Sequence, residues 1–170
     1  MENTLKIINE MEEHGVIGRY AVCGGIAAIF YIEPILTYDL DIFFVPAKET
    51  RGLITLSPIY DYLAEKGYPP EREQVIIEGV PVQFIPVYNE LVREAVENAV
   101  ATKYKQTGMR VIKAEYLVAI MLQTFRPKDK ERIIKFMDEA ELDGEYLQKI
   151  LQKYGLNEKY EQLMRLYYEK

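Results

Sequence analysis

The sequence predicts an α/β (α+β) fold, a small mixed sheet flanked by helices with a helical portion at its C-terminal end. Three observations predict it. Short apolar runs between residues 19 and 85, rich in Val, Ile and Phe, are punctuated by Gly, Pro, Asn and Asp. From about residue 113 onward the apolar residues recur at helical spacing instead. Nearly half of the 170 residues are apolar, enough for a sizeable core, yet no apolar run approaches the ~20 residues that span a bilayer.

Taken in order, Asn3 to His14 is predicted as an amphipathic helix with Leu5, Ile8 and Met11 on one side, ended by His14-Gly15. Arg19 to Cys23 is the first strand and Ile26 to Tyr31 a short helix stopped by Pro34. Asp39 to Val45 is the second strand. Ser57-Pro58 starts a helix, serine as N-cap and proline at the first position, that runs to Lys66-Gly67. Gln74 to Ile77 and Val80 to Ile85 flank Glu78-Gly79 as a hairpin. Pro81 puts the second of these strands near an edge, or where its missing N–H does no harm. Asn89 opens a helix with Leu91, Val92, Ala95, Val96 and Ala99 at helical spacing. Thr102 to Ile112 reads as an extended connection broken at Gly108. Four helices follow, Ala114–Phe125, Pro127–Ala140, Asp143–Tyr154 and Asn157–Tyr168. The composition shift near residue 113 sets the expected organisation: a core over 1–112, and a helical portion over 113–170 packed on it.

The lone cysteine, Cys23, forms no internal disulfide and fits a reducing cytoplasm, where it reads as buried filler. The N-terminal residues lack the basic and apolar regions of a signal peptide. His14, the single histidine, suits a helix C-terminus. A net charge of −6 argues against broad nucleic-acid binding and leaves room for a local basic site. Of the fourteen tyrosines, Tyr154, Tyr160, Tyr167 and Tyr168 cluster near the C-terminal end, where helix packing accounts for them more simply than base stacking.

The chain is organised around Cys23-Gly24-Gly25-Ile26 through Thr37-Tyr38-Asp39-Leu40-Asp41-Ile42-Phe43-Phe44. On an extended strand Asp39 and Asp41 share a face, about 7 Å apart at their Cα atoms. Two such carboxylates repel unless a cation sits between them, and Mg2+ suits that place because it also takes water and phosphate oxygens. A solvated strand end or an ion pair with a lysine is the plainer reading. The apolar run around the aspartates favours the metal site, because polar residues on a buried strand need a reason. Gly24 and Gly25 let backbone approach a phosphate closely.

A Gly-Gly turn, a short helix and Asp-x-Asp on the next strand resemble the nucleotidyltransferase superfold. More narrowly, Gly24, Gly25, Thr37, Asp39 and Asp41 resemble the AbiEii-like (AbiEii/AbiGii toxin-type) nucleotidyltransferase family. The resemblance implies transfer of a nucleoside monophosphate from a nucleoside triphosphate, with Mg2+ or Mn2+ held by Asp39 and Asp41. Gly24 and Gly25 would position the triphosphate, with support from Thr37. The acceptor it admits is RNA such as a tRNA end, a protein side chain or a small hydroxylated molecule, and a cognate antitoxin protein is the implied partner. No membrane is involved.

In this superfold a third carboxylate usually comes from a later strand and helps to activate the incoming hydroxyl. The matching residue here is Gln83, which can offer a carbonyl to a metal but cannot take a proton. One branch of the family carries Val-Gln-Phe at this point, as Val82-Gln83-Phe84 does. Either Glu73, Glu78 or Asp129 substitutes, or one metal suffices, or the chain is an inactive module that binds nucleotide or a partner. A second stretch, Glu115 to Gln123 followed by Arg126-Pro127-Lys128-Asp129-Lys130, resembles the family's apolar helix and Arg-x-Lys-Asp turn. Arg126 or Lys128 could face the triphosphate there, with Lys113 a weaker candidate. An ordinary solvated basic turn, with Asp129 helping the helix start, explains the same residues.

Overall fold

A computed structural model describes residues 1–47 and 53–169. They fall into two compact units, one from Met1–Ala27 with the described part of Leu36–Ile112, the other from Ala28–Ile35 with the described residues from 113 onward.

The first unit is built on seven strands: β1 Tyr20–Cys23, β2 Leu40–Phe44, β3 Pro70–Glu71, β4 Gln74–Ile77, β5 Val80–Pro86, β6 Val100–Tyr104 and β7 Thr107–Val111. Their order in the sheet is β3-β4-β5-β2-β1-β7-β6. β2 runs antiparallel to β1 and parallel to β5, and β1 runs parallel to β7, so the sheet is mixed. The helices of this unit are α1 Glu2–Glu13, α3 Ser57–Glu65 and α4 Glu90–Glu97; α2, Gly24–Ala28, crosses into the second unit.

Strand periodicity decides what the sheet does on each face. Leu40, Ile42 and Phe44 of β2 and Val82 and Phe84 of β5 are buried in register on one face. Asp41 and Gln83 lie in register on the other and keep partial exposure, as does Ile85 opposite Phe43. α1 lies against β7, and Thr4 donates its hydroxyl hydrogen to the carbonyl of Ile77 in β4. Leu5, Ile8 and Met11 of α1 are fully buried, as their spacing requires.

Several boundaries differ from the sequence reading. The short helix begins at Gly24 and ends at Ala28 rather than spanning 26–31, with a further turn made by Tyr31 and Ile32 N–H on the Ala28 carbonyl. β2 starts at Leu40, leaving Asp39 just outside the strand. Ser57 is the first residue of α3 rather than its cap, its N–H donating to Thr55 Oγ1. The stretch 102–112 is a hairpin rather than a connection, because the turn falls at Lys105, at φ 53°, and Gly108 lies inside β7. Pro81 lies in an interior strand, opposite Ile76. The Glu78-Gly79 turn forms as expected, both residues at positive φ. Asn89 caps α4 by accepting from Val92 N–H.

The second unit carries α5 Ala114–Thr124, α6 Pro127–Glu139, α7 Gly144–Lys153 and α8 Asn157–Tyr168. α5 is buried almost all round, and α6 and α7 pack against it. Tyr31 from the segment 28–35 packs on Phe136, ring centroids 6.3 Å apart. Tyr116 and Tyr146 meet edge to face. Among the described residues no helix is long and apolar enough to cross a membrane.

Candidate active site

The site residues of the first unit meet where β1 ends and β2 begins. Cys23, the last residue of β1, is paired with Asp41, and Asp41 is paired on its other side with Gln83. One row across three strands therefore holds Cys23, Asp41 and Gln83, all directed to the same face.

The two glycines explain how the row closes. Gly24 turns the chain at φ 63°, and a Cβ added there would overlap the carboxylate of Asp41. A Cβ on Gly25 would lie 2.6 Å from Thr37 Oγ1 and 2.8 Å from Thr37 Cβ. Each glycine thus makes room for one polar side chain of the incoming segment. Sequence reasoning assigned both to phosphate approach and missed this second use, which has no local signal because the contacts come from residues 12 to 17 positions later.

Gly24, Gly25, Thr37, Asp41 and Gln83 are thereby brought together, with Asp39 two residues from Asp41 and half-exposed. Gln83 is half-buried, and its amide makes no hydrogen bond among the described residues. The Cys23 thiol is pushed well up from its ordinary value, chiefly by burial and further by the charge of Asp41, against a hydrogen bond from the backbone of Phe43.

Asp39, Asp41 and the Gln83 carbonyl offer only oxygen donors, the ligand chemistry that would suit Mg2+ or Mn2+. Among the described residues no three His, Cys, Asp or Glu side chains are placed to share a metal ion. An ion held by these two carboxylates would complete its shell with water and phosphate oxygens. Of the carboxylates offered as substitutes, Glu78 accepts from the Tyr68 hydroxyl and Glu73 is exposed in the β3–β4 turn.

Arg126, Lys128 and Asp129 belong to the second unit. There Asp129 is buried at the start of α6 and accepts from Arg126 N–H at 3.1 Å, Arg126 Nε at 2.8 Å and Thr124 Oγ1 at 2.8 Å. Burial opposes its ionisation, but hydrogen bonds from Arg126 and Thr124 outweigh it and hold the carboxyl below the ordinary range. Asp129, the third residue of α6, accepts from the backbone N–H of Arg126 just ahead of the helix, which is the reciprocal half of a capping box. Lys128 is exposed.

No family model matches the sequence, and no curated protein does. Among solved structures, an antigenic nucleotidyltransferase-like protein from Paracoccidioides brasiliensis superposes with a TM-score of 0.52 at 15% identity, over 90% of this chain and 87% of that one. The antibiotic-resistance factor ANT(2'')-Ia superposes with a TM-score of 0.51 at 12% identity, over the full length of both chains. At these identities the likeness concerns the fold, and the fold is nucleotidyltransferase-like.

Proposed function

We propose that the chain binds a nucleoside triphosphate with Mg2+ or Mn2+ at Gly24, Gly25, Thr37, Asp39 and Asp41, and transfers its nucleoside monophosphate to an acceptor. The observation that carries this reading is the fit of the Asp41 carboxylate and the Thr37 side chain into the spaces left by Gly24 and Gly25. It puts an acid and a hydroxyl against a turn whose backbone a phosphate can approach. A divalent ion bound there would neutralise phosphate charge as the α-phosphorus is attacked. Asp39 and Asp41 hold that ion in this reading, the Gly24-Gly25 backbone receives the triphosphate, and Thr37 donates a hydrogen bond to it. Kinship with AbiEii-like toxins rests on the same motif residues, and a cognate antitoxin partner follows from that kinship alone.

Gln83 favours a second reading, a module that binds nucleotide without turning it over, since an amide cannot remove a proton. Calorimetric titration with each triphosphate, with and without Mg2+, tests the shared part of both. Metal-dependent binding that an Asp39→Ala, Asp41→Ala protein loses supports the site. Binding indifferent to those substitutions would sink it. Release of pyrophosphate from α-labelled nucleotide, with label on an acceptor, separates transferase from binder.

A further inference from the structure

We propose that the acceptor at this site is an oxyanion, a phosphate monoester or a carboxylate, whose attacking oxygen is received by the amide of Gln83. The inference rests on the nucleotidyl-transfer reading above.

A hydroxyl acceptor has to lose a proton as its oxygen bonds to phosphorus, and a positioned base usually takes it. The side chain in register beside Asp41 on the neighbouring strand is Gln83. Its amide has no proton affinity near neutral pH. The next row on this face is Phe43 with Ile85, neither of which can act as a base. Glu78 is already hydrogen-bonded by Tyr68, and no third metal-ligating side chain gathers beside the aspartates among the described residues.

What Gln83 can do is donate. Its N–H groups are unspent among the described residues, and the side chain is half-buried beside Asp41. An anionic acceptor gains a hydrogen bond there, whereas a carboxylate at the same position would repel it. Phosphate monoesters and carboxylates are ionised at neutral pH and have no proton to give up. The step then balances without a base. The acceptor oxygen bonds to the α-phosphorus, the bond from that phosphorus to the bridging oxygen breaks, and pyrophosphate leaves with the electron pair. No proton moves.

The test uses the whole chain, Mg2+ and α-labelled triphosphate, with acceptors of one carbon skeleton ending in a phosphate monoester, a carboxylate or an alcohol. The expected result is label on the phosphate or the carboxylate at least roughly ten-fold above the alcohol, because the alcohol still has a proton to lose and Gln83 cannot take it. Product masses tell the two anionic sources apart. Transfer to the phosphate should be level above about pH 7, once its second ionisation is complete.

A second readout does not depend on turnover. An unreactive phosphonate acceptor, titrated by NMR with a non-hydrolysable triphosphate present, should bind Gln83→Glu roughly ten-fold more weakly than wild type. Gln83→Ala serves where Gln83→Glu fails to fold, and should fall short of wild type. Label on the alcohol alone, at a rate rising steadily with pH, overturns the inference and leaves nucleotidyl transfer standing. Equal phosphonate affinity in wild type and variants overturns it too, as does bound nucleotide with no transfer to any acceptor. Absence of nucleotide binding instead overturns the reading beneath it.

Discussion

The carboxylate of Asp41 occupies the space that a side chain at position 24 would need. Gly24 also sits at φ 63°, where an L-residue costs about 1–2 kcal/mol. Gly24→Ala therefore combines backbone strain with displacement of a carboxylate proposed to hold the metal. We expect a lowered Tm together with a loss of metal-dependent triphosphate affinity of more than roughly ten-fold, or ~1.4 kcal/mol. Gly15→Ala shares the strain at φ 68° but meets nothing within 4 Å, so it should lower Tm and leave nucleotide affinity alone. Equal affinity losses in the two proteins would show that strain, not the Asp41 contact, is responsible.

The row of Cys23, Asp41 and Gln83 was legible in the sequence to the extent that it is local. Gly24-Gly25 after an apolar strand and Asp39-x-Asp41 before another give the two strands and the turn between them. The Glu78-Gly79 hairpin gives β4 and β5, and with them the position of Gln83. The register that sets Cys23, Asp41 and Gln83 side by side is not local, because it depends on pairing β2 with β1 on one side and β5 on the other. The hairpin of β6 and β7 was missed for a different reason. Its turn uses Lys105 and Gln106, not a glycine, while the glycine that looked like a break lies within a strand.

In the Arg126-to-Lys130 turn, Asp129 has a local structural role at the start of α6. Asp129 satisfies Arg126 N–H, the Arg126 side chain and the Thr124 hydroxyl at the junction of α5 and α6. Asp129→Asn should destabilise the chain by about 1–3 kcal/mol, from the buried hydrogen bonds more than from the exposed half of the ion pair. Because the folded carboxyl titrates below its ordinary value, its contribution is present above about pH 4 and is lost as pH falls through the folded pKa. The Tm difference between wild type and Asp129→Asn should therefore shrink below about pH 4. A difference that stays constant down to pH 2.5, measured by calorimetry, would count against this assignment, since about 1.4 units separate that pH from the unfolded value.

Tyr20 links α1, β1 and β7 through one chain of contacts. Its hydroxyl donates to Asn9 Oδ1 at 2.5 Å, Asn9 Nδ2 donates to the Gly108 carbonyl at 2.9 Å, and the Arg110 guanidinium lies 5.1 Å from the ring centroid. Arg110 also donates to the Tyr20 carbonyl and to both carboxylate oxygens of Glu12. Tyr20→Phe keeps the fully buried ring and removes one hydrogen bond, so we expect a loss of about 1 kcal/mol. Tyr20→Ala removes the ring as well and should cost about 3–5 kcal/mol. Urea unfolding of the three proteins checks the ratio. Equal losses would mean that the hydroxyl, not the ring, dominates.

Cys23 reports on the same row from the inside. It is 2% exposed, and both burial and the Asp41 charge disfavour its thiolate, the form that alkylating agents attack. In the absence of metal and nucleotide, iodoacetamide at pH 8 should leave the folded chain unmodified while alkylating it fully in denaturant, as read by intact mass. Asp41→Asn removes one of the two causes that raise the thiol, so its Cys23 should react faster than wild type while remaining slower than the unfolded chain. If wild type reacts as fast folded as unfolded, Cys23 is not enclosed at the end of β1. If Asp41→Asn changes nothing, the thiol is governed by burial alone, and the electrostatic contact across the Cys23–Asp41 pair is too weak to matter.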